Sequence, residues 1–268
     1  MRLAFSFGPI FAVMGSLGAQ FILNGGIPAL PYPYDFGFLY LVAIPCTAMV
    51  ALLSSRYHLV PIPEEPARPG FLRYLTESVR SFARERPLVL LWFGYLLWYF
   101  TLNAMSNLSL YTREAVGRDP KDLSGIIMAL RFGFKALGGF VLGGIAIRWG
   151  VRAPLAVCVV LVGGSLVWAW IAPGYGYLLA FGLMGAGELG GAYFPNYQVT
   201  LSTPAMGTRD LAMQSLTSPV SAIAPALHGA LTDAFGFRAS FAFGILTAVI
   251  SLLLVLRLPA RLREPGKG

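Results

Sequence analysis

The run Pro154-Leu155-Ala156-Val157-Cys158-Val159-Val160-Leu161-Val162-Gly163-Gly164-Ser165-Leu166-Val167-Trp168-Ala169-Trp170-Ile171-Ala172 holds nineteen residues and no charge. As a helix it extends about 29 Å, close to the hydrocarbon thickness of a bilayer. A soluble surface helix would carry a polar face, and this run offers only Ser165. Working outward, the same reading applies to 3–24, 36–54, 88–110, 123–147, 176–201, 210–232 and 239–257. Composition agrees: 56% of the chain is hydrophobic and 12% is charged, with a mean hydropathy of +0.67. Soluble domains carry roughly 25% charged residues. The expected fold class is therefore an all-α polytopic membrane protein with eight transmembrane helices. Pro45, Pro195, Pro219 and Pro225 fall inside spans and mark expected kinks. Read as a signal peptide, 3–24 has only Arg2 as its n-region and a poor cleavage site at Leu17-Gly18-Ala19, so a span is the better reading.

Basic residues orient the spans. With both termini cytoplasmic, the inner side holds Arg2, Arg56, Arg68, Arg73, Arg80, Arg84, Arg86, Arg148, Arg152, Arg209, Arg257, Arg261, Arg263 and Lys267. The outer side holds Arg113, Arg118, Lys121 and Arg238. Fourteen against four is the bias that retains basic loops in the cytoplasm. The net charge of +8 thus reads as topology charge rather than a nucleic-acid surface, because the arginines lie in short runs between apolar stretches. Cys46 and Cys158 each sit within an apolar run, and neither a CxxC nor a Cys/His cluster occurs. No disulfide framework, metal or cofactor is expected.

Residues 55–87 interrupt the pattern. They open with the turn-rich Pro61-Ile62-Pro63-Glu64-Glu65-Pro66 and continue with helical period. Phe71, Leu72, Leu75, Val79 and Phe82 share one face; Arg73, Glu77, Arg80 and Arg84 share another, with Arg73 and Glu77 spaced i,i+4. This predicts an amphipathic helix on the inner membrane surface. The expected organisation is two helices in 1–54, a cytoplasmic linker over 55–87, six helices in 88–257 and a cytoplasmic tail over 258–268.

Leu142-Gly143-Gly144-Ile145-Ala146-Ile147-Arg148-Trp149-Gly150-Val151-Arg152 then acquires meaning. Gly144, Arg148, Gly150 and Arg152 resemble the short cytoplasmic signature of the major facilitator superfamily: glycine, three residues, Asp-Arg, one residue, glycine, one residue, arginine. The loop joins the second and third helices after the linker, where that family places it. Ile147 stands where the family has Asp, so no charge relay through that position is implied. Gly229 through Arg238, followed by Phe241, resembles the outer turn between the family's last two helices. Gly8-Pro9 is similar to the Gly-Pro element of the fifth helix in its proton-driven exporters, or is simply a kink.

The family has twelve helices in two halves, so the resemblance implies that this chain covers helices five to twelve. It then implies a secondary-transporter polypeptide of a bacterial inner (plasma) membrane, a fragment or truncated form, or one whose missing helices come from a second chain. The partners implied are the lipid bilayer, a small-molecule substrate and, in coupled members, protons. Two alternatives are a non-transporting membrane protein or assembly partner, and a membrane-embedded enzyme. The second is disfavoured by the lack of paired carboxylates at helix ends, of a His pair and of a nucleophile–base arrangement.

Ionisable groups inside a span cost on the order of 3 kcal/mol each on insertion scales, which makes each a candidate. Arg131 and Lys135 lie one turn apart on one face of 123–147. They form either a cationic site for an anionic substrate group or a structural pairing with Glu188, the central acid of 176–201. Glu188 is either a proton-coupling carboxylate or a permanently ionised partner. His228 is either a hydrogen-bonded packing residue or a cavity group. Tyr99, Asn103 and Asn107 repeat at i,i+4,i+8 and predict a polar stripe facing protein. Asn196 and Gln214 complete the candidates, with interhelical hydrogen bonding as their other reading. Gly182, Gly185, Gly187, Gly190 and Gly191 flank Glu188 and predict close helix packing.

Overall fold

The structure, a computed structural model, describes residues 2–56, 70–203 and 206–259. The turn-rich 61–66 segment, Arg68, Arg261, Arg263 and Lys267 lie outside the described residues, as do the side chains of Arg2 and Phe71. Among the described residues every regular element is helical: α1 (Arg2–Phe21), α2 (Tyr34–Ser55), α3 (Phe71–Arg84), α4 (Arg86–Leu102), α5 (Met105–Val116), α6 (Pro120–Trp149), α7 (Arg152–Ile171), α8 (Leu179–Gly187), α9 (Gly190–Leu201), α10 (Gly207–Ser215), α11 (Thr217–Ser221), α12 (Ala224–Phe235) and α13 (Phe237–Leu256).

Among the described residues five helical stretches are long and apolar enough to cross a membrane: Tyr34–Ser55, Arg86–Val116, Pro120–Trp149, Arg152–Ile171 and Phe237–Leu256. The remaining expected spans are also helical, but two of them are broken. α8 and α9 share the 176–201 stretch, and α10, α11 and α12 share 210–232. Proline explains the breaks in 210–232. A proline has no N–H to offer the carbonyl four residues back, and its ring crowds that carbonyl. Pro219 and Pro225 strip Ser215 and Ser221 of that bond, and α10 and α11 end at those two residues. The α8–α9 break lies upstream of the Gly191 carbonyl that Pro195 strips; there Gly191 and Ala192 donate three residues back, to Glu188 at 3.0 Å and Leu189 at 2.9 Å. The α4–α5 break has another cause. The Asn103 carboxamide donates to the Tyr99 carbonyl at 2.8 Å, alongside the backbone donor of Asn103 itself.

The six-helix part is built twice. α4 packs on α13 as α8 packs on α7. α6 packs on α8 as α11 packs on α4, and α6 on α7 as α12 on α13. The α7–α13 contact is shared. Exchanging the unit α4–α7 with the unit α8–α13 therefore maps these pairs onto one another. Turns within the two units match as well: Gly150 (φ 82°, ψ 171°) joins α6 to α7, and Gly236 (φ 81°, ψ 171°) joins α12 to α13. Both glycines hold a left-handed φ that a side chain would strain.

Contacts between helix ends separate two faces. At one, Arg152 donates to the carbonyls of Leu256 (3.2 Å) and Leu258 (2.7 Å), Tyr197 to that of Pro259 (2.7 Å), and Arg209 to Ser81 (2.9 Å). At the other, Gln20 accepts from Gly125, and Asn107 meets Thr232 and Ser240. The first face carries the arginine-rich turns. α3 docks there through Phe82 and Ser78, both buried, and leaves Leu72, Leu75 and Val79 exposed. Arg73 and Glu77 pair at 2.8 Å on its outer side.

α1 runs along α6. α2 stands apart: apart from buried Asp35 and half-buried Leu39, its residues are exposed.

Candidate functional site

α6 carries Arg131 and Lys135 one turn apart, so both point the same way. They meet Glu188, which sits at the α8–α9 junction. Arg131 Nε lies 2.5 Å from Glu188 Oε1, and Lys135 Nζ lies 3.1 Å from Oε2. The carboxylate's side chain is 7% exposed and each cation's is 27% exposed. Close helix approach makes the triad possible. Gly185 lies against the Arg131 backbone, where a Cβ would run into the Arg131 carbonyl, and Gly187 lies against Val162 in the same way. The glycine run expected to serve packing thus also sets the distance between Glu188 and its partners.

The triad's charge does not balance. Each carboxylate oxygen serves one cation, and among the described residues no second acid pairs with Arg131 or Lys135. One positive charge is left over in a half-buried position within the helical bundle. A structural ion pair in low dielectric is best served by one cation per carboxylate, because each further charge adds desolvation cost without a partner.

The expected polar stripe does not form a single surface. Asn103 turns back onto its own helix. Asn107 is buried toward the far end, where the two hydrogens of its Nδ2 are shared among the His228 carbonyl (2.9 Å), Thr232 Oγ1 (2.7 Å) and Ser240 Oγ (2.9 Å). His228 belongs to that network and is 1% exposed. Its Nε2 lies 2.8 Å from the Phe100 carbonyl, which can only accept, so Nε2 carries the hydrogen. Its Nδ1 then accepts from Ser240 Oγ at 2.8 Å. Every polar atom of the ring is satisfied, as a packing residue requires.

Tyr99 instead lines a cavity of about 430 Å³ together with Tyr95, Pro195, Leu211, Gln214, Ser215, Thr217 and Ser218. Tyr95 donates to the Tyr99 hydroxyl at 3.2 Å. Gln214 is buried at 2% exposure, and both polar atoms of its carboxamide lack a partner. Asn196 lies on the exposed side of α9. Tyr95 went unnoticed in the sequence, although Tyr95 and Tyr99 continue the same i,i+4 spacing as Tyr99 and Asn103.

In the signature-like loop, Gly150 makes the positive-φ turn and Arg152 caps the last carbonyls of α13. Arg148 lies over the Trp149 ring at 5.7 Å, and Gly144 is exposed. Among the described residues no group of His, Cys, Asp and Glu is arranged to hold a metal. Compared with protein-family models and with curated proteins, the chain matches none.

Proposed function

We propose that this chain is a secondary-transporter polypeptide of the major facilitator type that moves a small organic anion. The observation that carries this reading is the Arg131–Lys135–Glu188 triad, with its excess positive charge at a break in a helix. Interrupted helices near the middle of a repeat-built bundle are where secondary transporters hold charged solutes. The doubled packing pattern supports the same reading. Its first unit starts at the arginine-rich face with Arg86 and its second at the opposite face with the turn before α8. Units related in that way are inverted repeats. In this reading Glu188 orients the two cations, and Lys135 supplies the charge that the solute neutralises. The eight-span, both-termini-inside topology, with the arginine-rich face in the cytoplasm of a bacterial inner membrane, belongs to the same proposal.

The test is the binding and uptake of 3-phenylpropionate by purified protein in proteoliposomes. Lys135→Met leaves a neutral Arg131–Glu188 pair and is expected to weaken binding about tenfold, the effect of one lost charge-assisted contact. Equal binding by wild type and Lys135→Met would remove the anion reading.

The exposure of α2 favours a second reading, a membrane subunit that assembles with further helices. Anion binding without uptake, together with co-purification of a second helical chain, would select it.

A further inference from the structure

We infer that the cavity beside Gln214 receives an uncharged, amide-like group of the transported solute. This rests on the transporter reading for the solute's anionic end, and on separate residues for its own chemistry.

The Gln214 carboxamide offers two donors and an acceptor oxygen, and none of them is met by the protein although the residue is 2% exposed. Buried amides are almost always paired, so an orphan on a residue that lines a cavity points to a ligand group that completes it. Two of the neighbouring hydroxyls already donate to backbone. Thr217 donates to the Gln214 backbone carbonyl at 2.7 Å, and Ser215 to the Leu211 carbonyl at 2.9 Å. Tyr95 donates to Tyr99, which leaves the Tyr99 hydrogen free to donate. The cavity therefore presents donors and an acceptor but no charge, since none of its lining residues is ionised at neutral pH. A charged group placed there would lose its hydration without a counter-charge, whereas a carboxamide would exchange hydrogen bonds in both directions.

Pro195 on the cavity wall follows Glu188 by seven residues, about 10 Å at the helical rise, with the α8–α9 junction between them. A solute with a carboxylate at one end and an amide about that far away would meet both.

The experiment is calorimetric titration of the purified full chain in detergent with three probes. They are 3-(4-acetamidophenyl)propionate, its apolar counterpart 3-(4-isopropylphenyl)propionate, and neutral acetanilide. The acetamido anion is expected to bind about tenfold more tightly than the isopropyl anion, as one satisfied buried amide predicts. Gln214→Leu should erase that difference and leave the isopropyl anion's affinity in place. Should Gln214→Leu fold poorly, Tyr99→Phe gives an independent reading, with a several-fold loss for the acetamido anion alone. Equal affinity of the two anions in the wild type overturns the inference and leaves the anion reading standing. Gln214-dependent binding of acetanilide that is indifferent to Lys135→Met does the reverse. Absence of binding by both amide probes also overturns the inference.

Discussion

Gly185 of α8 rests against the backbone of Arg131 on α6, and that contact places Glu188, three residues further on, within reach of both cations. The site's geometry thus depends on a residue with no side chain. Overpacking at such a contact costs about 1–3 kcal/mol and moves the backbones apart. Gly185→Val is expected to lower the melting temperature in detergent and to weaken 3-phenylpropionate binding together. A variant that melts earlier but binds normally would show that the separation of α6 and α8 does not set the site.

Glu188→Gln leaves two cations facing an uncharged amide. The expected loss of stability is about 2 kcal/mol, less than for a fully buried pair because each cation is 27% exposed. Adding Lys135→Met should recover part of that loss. A thermal-melt double-mutant cycle reads the coupling between the two residues directly. Strict additivity would mean that Lys135 and Glu188 do not interact. Glu188→Gln also tests proton coupling, because uptake unchanged across pH would remove any role of this carboxylate in carrying protons.

His228 has no spare hydrogen-bonding capacity, with Nε2 on Phe100 and Nδ1 on Ser240. His228→Leu is expected to destabilise by about 2 kcal/mol, since it leaves buried partners unmet. It should not change the pH profile of anion binding between roughly pH 5.5 and 7.5, the window in which an accessible histidine titrates. A profile that shifts in this variant would move His228 from packing into function.

Arg152 satisfies carbonyls that the end of α13 cannot pair internally. Arg152→Ala is expected to cost about 1 kcal/mol. Hydrogen exchange should then rise at the last turn of α13 and at Leu258, with no change around Asn107 and Ser240 on the opposite face. Uniformly faster exchange across the bundle would mean that Arg152 supports more than one helix end.

Much of the architecture was legible from residue order. The uncharged 154–172 run is α7, the 239–257 run is α13, and the amphipathic spacing of 71–84 is α3. Of the four prolines expected to kink, Pro219 and Pro225 have the helix end four residues upstream of the ring, whereas Pro45 and Pro195 lie inside α2 and α9. The site was legible in part. Arg131, Lys135 and Glu188 were conspicuous as charges inside spans, and the structure joins all three. The Tyr99–Asn103–Asn107 spacing misled because it presumes an unbroken helix. The Asn103 side chain competes for the Tyr99 carbonyl, and past the break Asn107 belongs to the His228 network.

Residue order alone marked the helical stretches, five among the described residues, that are long and apolar enough to cross a membrane. That property is local: each run must satisfy its own backbone where no water is available, and its length and apolarity decide whether it can. Only the tertiary structure decided which polar groups meet. Arg131 and Lys135 lie 57 and 53 residues from Glu188, and they reach it because glycines let α6 and α8 touch. Gln214 carries the same amide as any other glutamine. Packing gave Gln198 a carbonyl to bond and left Gln214 facing a cavity, because hydrogen-bond satisfaction depends on neighbours that the chain brings together only when it folds.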